Sequence, residues 1–277
     1  MKPFVVSAFI FILLASPVVH SAEYQSELSY ISNQIISRVD DGDITEILQQ
    51  FDLYKEAGLS FQPGLTVPKS VRNKDNEELA VLLGMIMFDA NYAMVFGRMG
   101  NSIDNRMFVR TDLLPRLDQG SRLDLNPVRQ DLLERLTRDP QDEEARRLVN
   151  EHVASQIRSN AEIAENDLEV MQVLVFAYYG AIIQGLYVAT SLSMNLPVTP
   201  EIEELFEYQL IRLQYLDELI HNLQHSQIRD VLGQEKICSI IDPIIERLMV
   251  ARGELTPELI KDLNEIATQA RSEYVGH

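Results

Sequence analysis

Glu218, His221 and His225 have the types and spacing of metal ligands. Glu-x-x-His is the pattern by which one helix gives a carboxylate and an imidazole to a di-iron centre. His-x-x-x-His sets two imidazoles one helical turn apart. A di-iron bundle needs a second Glu-x-x-His, and the chain has none. At 100° per residue the three also fall opposite the apolar stripe Ile202, Phe206, Leu210, Leu213, Leu216, Ile220 and Leu223. The expectation is therefore a solvated face, with adventitious or partner-shared zinc and a functional metal site as the alternatives. No cofactor is expected.

A second set centres on Asp89. It follows an apolar run from Leu79 to Phe88, in which a carboxylate is costly unless it is paired. Tyr92 lies three residues on, and Gln184 and Tyr187 sit in a second apolar run. The four are the expected ligand-binding residues, lining a pocket between the two helices. The bland alternative is a satisfied polar lock, with an arginine (Arg98, Arg106 or Arg110), a tyrosine or helix-end amides as the partner of Asp89. The single cysteine, Cys238, lies among Ile237, Ile240, Ile241, Ile244 and Ile245 and is read as a small buried hydrophobe. Other chemistry lacks its signature. There is no glycine-rich phosphate loop, no Gly-x-Ser-x-Gly and no His-Glu-x-x-His. No catalytic residue is assigned.

The elements that must position these residues are helices. Sustained strand alternation is absent, and the Asp41-Gly42 pair, within Asp40-Asp41-Gly42-Asp43, reads as a turn and helix cap and not as a hairpin. Asp43 with Glu46 and Asp75 with Glu78 have capping-box spacing. Asn126-Pro127, Asp139-Pro140, Thr199-Pro200 and Thr256-Pro257 read as caps before a first-turn proline, and Gly58, Gly100 and Gly253 as stops. These signals predict helices over 24–39, 43–57, 76–99, 103–117, 127–138, 140–165, 167–195, 200–228, 234–252 and 257–273, with loops over 59–74 and 118–126. The fold class is all-α: a multi-helix bundle of about nine or ten helices in one domain, 23–277. Two helices, 79–99 and 168–194, are apolar on all faces and take its centre. Small residues at Ala177, Ala181, Gly185 and Ala189, and at Ala93 and Gly97, predict close packing of these two.

Residues 1–22 have the layout of a signal peptide: Lys2, an apolar stretch from Phe4 to Ala15, Pro17, then Ser21 and Ala22 at the cut. The stretch is short for a membrane span, so the expectation is a periplasmic or secreted chain with no stable membrane insertion after cleavage. The net charge of −18 repels phosphate backbones and argues against nucleic acid as a partner. One cysteine cannot form an internal disulfide, so the core alone must hold the fold.

Two segments, Leu83-Gly84-x-x-x-x-Asp89-x-x-Tyr92-x-x-x-Phe96 and Gln184-Gly185-Leu186-Tyr187-x-Ala189-Thr190, are similar to those of an uncharacterised group of exported all-helical bacterial proteins, many of them lipoproteins. The resemblance covers about residues 76–250. It implies the helical fold and export, and no activity. This chain departs from the pattern in lacking a lipidated cysteine and in carrying Gln184 where an acidic residue is common. The first functional expectation is a soluble binding or interaction protein of the cell envelope without catalysis, with a protein or a small molecule as partner. The alternatives are a sensor or enzyme using a pocket around Asp89, and a helical subunit of an envelope complex.

Overall fold

A computed structural model describes residues 22–40, 51–69, 74–139, 141–252 and 254–275. The chain is 79% helical and has no strands among the described residues. The order is α1 (Ala22–Asp40), a helical stretch over 51–56, α2 (Asn76–Val95), α3 (Met99–Phe108), α4 (Gln130–Arg138), α5 (Glu143–Ala164), α6 (Leu168–Ser193), α7 (Pro200–Ile220), α8 (Ser226–Val231), α9 (Gln234–Val250) and α10 (Pro257–Val275). The expected leader, the Asp43–Glu46 cap, Pro140 and the Gly253 stop lie outside the described residues.

Several helix ends follow from local chemistry. The backbone N–H of Glu78 donates to Asp75 Oδ1 (2.8 Å), and that of Asp75 to Glu78 Oε2 (3.0 Å), closing the expected capping box. Thr199 and Thr256 cap α7 and α10 ahead of their prolines. The other two proline caps are corrected. Helix α4 starts at Gln130, three residues after Pro127, and α5 starts after Asp142, whose Oδ1 accepts from Ala145 N–H. The stop of α2 is Gly97, not Gly100. At φ +68°, Gly97 allows the reversal in which Arg98 N–H donates to Ala93 carbonyl at 2.8 Å. Helix α3 widens into a π-turn (Val109–Leu113) and then tightens into a 3-10 turn (Leu114–Arg116) at its end.

Helices α2 and α6 form the centre and pack on each other. Both are long and apolar enough to cross a membrane, yet 78% and 72% of their most apolar windows are buried inside the fold. The close approach is reciprocal. A Cβ on Gly84 would lie 1.7 Å from Ala177 carbonyl oxygen, and one on Gly180 would lie 2.1 Å from that of Val81. The contact thus runs through Gly84 and Gly180, whereas Gly97, expected in the stripe, ends its helix. Helix α10 packs on α6, α9 packs on α7, and α1 packs on α5. A smaller apolar cluster joins α4 to α5 through Leu132, Leu136, Ala145 and Val149.

Candidate functional site

The buried face of α2 meets the loop over 59–69 at Asp89. Asp89 Oδ2 accepts from the Val67 backbone N–H (2.7 Å), and Oδ1 accepts from the Gln184 side-chain amide (2.8 Å). Gln184 also donates to the Leu65 carbonyl (2.9 Å), and its oxygen accepts from Arg271 Nε of α10 (2.8 Å). The Arg271 guanidinium lies 4.4 Å above the Tyr187 ring and donates to the Thr66 carbonyl at 3.2 Å. Tyr92 accepts from Gln62 N–H (3.0 Å) and donates to the Ser60 carbonyl (3.2 Å). Burial raises Asp89 to about 7, against the Val67 and Gln184 hydrogen bonds and the Arg271 charge, which lower it.

Asp89, Tyr92 and Gln184 thus converge on one loop as a polar lock, and Tyr187 joins it through Arg271. None of Asp89, Tyr92, Gln184 and Tyr187 lines either of the two cavities described below. The lock fastens the loop to α2, α6 and α10, and every hydrogen-bonding site used is filled by the chain itself. The arginine that joins it is Arg271, distant in sequence, rather than the three near Asp89.

The expected metal face is also rearranged. Helix α7 ends at Ile220 instead of running to 228. The N–H groups of Gln224 and His225 both donate to Glu27 Oε1 of α1 (2.7 and 2.9 Å), which replaces the next helical turn. His225 is extended there, its ring edge-on to Tyr24 at 5.2 Å. Glu218 is exposed and 3.6 Å from Arg38. His225 therefore leaves the turn that carries Glu218 and His221, and the three do not gather as a ligand set. His221 instead lies by Asp217 (Nδ1 to Oδ1, 3.2 Å) and Cys238. Burial, with Asp242 and Asp217 nearby, pushes the Cys238 thiol up to about 11, so it is a poor nucleophile as it stands.

The open space lies on the other face of α2. A cavity of about 330 Å³ is walled by Ile35 and Val39 of α1, Leu83 and Met87 of α2, Leu174 and Ala181 of α6, and Ile211, Tyr215 and Leu219 of α7. Small-molecule sites run from about 300 to 1,000 Å³ and are mostly apolar. A second cavity of about 140 Å³ adjoins it, sharing Met87 and Leu125, and runs past Ile103, Met107 and Val128. Its rim residues Ile103 and Met107 and the first cavity's Ile211 are exposed apolar side chains.

Arg106 lines the second cavity and reaches toward the first. Its Nη2 donates to Asn91 Oδ1 (2.7 Å), and Asn91 lines the larger space. Its Nε is buried without a hydrogen-bond partner, and no carboxylate pairs with it among the described residues. Burial alone pulls its pKa down to about 10, so it stays charged at neutral pH. Sequence reasoning weighed Arg106 only as a partner for Asp89. What it missed is that Asp89 and Asn91, two residues apart, point to opposite sides of α2. Compared with protein-family models, with curated proteins and with solved structures, the chain finds no match.

Proposed function

We propose that this chain is an exported, non-catalytic binding protein for an amphipathic anion: an apolar chain or ring system ending in a carboxylate or phosphate. The observation that carries the reading is Arg106, a charged guanidinium with no carboxylate partner among the described residues, which lines the smaller of two adjoining apolar cavities and donates to Asn91 of the larger. In a chain with net charge −18, a half-buried cation whose buried Nε has no partner and which meets no carboxylate among the described residues is an expensive arrangement that an anionic ligand would relieve. The apolar tail would occupy the 330 Å³ space among α1, α2, α6 and α7. Export rests on the N-terminal leader pattern and on the resemblance described above.

The test is titration with a fluorescent polyene fatty acid beside its methyl ester. The chain contains no tryptophan, so the probe's emission is read without a competing indole. Saturable one-site binding of the acid, with the ester at least about tenfold weaker, supports the reading. Failure of the acid to bind, or equal binding of acid and ester, overturns it.

A further inference from the structure

We propose that Asp217, His221, Cys238 and Asp242 form a surface site for a divalent transition-metal ion, best matched by zinc. Asp217 and His221 are four residues apart on α7 and at its C-terminal cap. Cys238 and Asp242 are four residues apart on α9. Side chains at that spacing share a helical face, and α7 and α9 pack on each other. Each helix thus offers one pair to the seam. One ligand atom each from Asp217, His221 and Cys238 already lies within 4.8 Å of the others. A bound ion with bonds of about 2.0–2.3 Å would draw them closer by side-chain rotation.

The donor set is chemically specific. One thiol, one imidazole and carboxylates make a mixed S, N, O set, which suits zinc and disfavours magnesium or calcium. The fourth position belongs to Asp242, whose carboxyl is near enough to feel both Asp217 and His221. Two carboxylates gathered beside a thiol, with no lysine or arginine paired to them among the described residues, leave a local excess of negative charge, which a cation would neutralise. His221 is exposed, so an ion can enter from solvent. The site lies on the α7–α9 seam and shares no residue with the Arg106 cavity, so it stands or falls independently of the proposed function.

The experiment is optical titration of the folded protein, without its leader and with Cys238 reduced, using cobalt(II) as the probe and zinc as the competitor. One equivalent of cobalt should give a thiolate-to-metal charge-transfer band with tetrahedral visible bands, both abolished by one equivalent of zinc. His221→Asn and Cys238→Ser should each weaken binding at least tenfold, and Cys238→Ser should remove the charge-transfer band outright. Asp242→Asn should weaken it less, and His225→Ala should change nothing. Circular dichroism confirms that each variant is folded, and His221→Ala serves if the asparagine variant is not. No charge-transfer band in the parent protein overturns the proposal. So does a band unchanged in both His221 variants, since the thiol would then be binding cobalt alone.

Discussion

The Gln184 side-chain amide donates to Asp89 Oδ1 at 2.8 Å while its oxygen accepts from Arg271 at 2.8 Å. Arg271 has no acceptor, so it fixes which way the Gln184 amide points. Asp89 must therefore present acceptors to both Gln184 and Val67. Asparagine in its place sets an NH2 against one of these donors. Below about pH 5, where the folded carboxyl keeps its proton yet both oxygens can still accept, Asp89→Asn is expected to destabilise the fold by about 1–3 kcal/mol, read by chemical denaturation.

The same residue sets a pH dependence. Asp89 is raised from the usual carboxylate value of 3.8 to about 7 in the folded chain. Between those values the unfolded chain has lost the proton and the folded one keeps it. Stability from this group therefore falls as pH rises from about 4 to about 7 and is level above that. Measured against Asp89→Asn at each pH, the parent's advantage should be largest near pH 4 and smallest above pH 7. A difference that grows with pH would contradict the assignment.

Gly84 and Gly180 admit no side chain. Each would set a Cβ against backbone oxygen of the facing helix, at 1.7 and 2.1 Å. Gly84→Ala and Gly180→Ala should each cost about 3 kcal/mol or more, because whole helices must separate. Gly100, in the first turn of α3, meets nothing within 4 Å. Gly100→Ala should stabilise by up to about 1 kcal/mol. Denaturant midpoints of the three variants give the comparison.

Tyr92 holds the loop through Gln62 N–H and the Ser60 carbonyl. Tyr92→Phe removes both bonds and leaves the ring packing on Phe61, at 4.9 Å, intact. Global stability should drop by about 1 kcal/mol. Amide exchange at Gln62 should quicken, with α6 unchanged.

Much of the fold was legible because apolar periodicity and capping chemistry are local. The Asp75–Glu78 box, the Thr199 cap and the two all-apolar helices could be read from neighbouring residues. What failed depended on distant residues. Nothing near 221–225 marks the end of α7, since the group that takes over its N–H bonds is Glu27 of α1. The same applies to the sites. Asp89 and Gln184 were recognised as belonging together, but whether they line a pocket or fill it depends on Val67, Leu65 and Arg271. Cys238 looked like one more apolar residue of its helix until packing set it beside His221. Arg106 reads as an ordinary helical arginine until the space around it is known.

Native mass spectrometry of the protein isolated from its own cells, beside Arg106→Met, tests the central claim most directly. The account predicts a discrete acidic, apolar adduct on the parent chain that is lost on denaturation. The variant should lack it and, freed of a buried charge, should unfold at higher denaturant than the ligand-free parent. A bare parent chain, or the same adduct on Arg106→Met, would contradict the account.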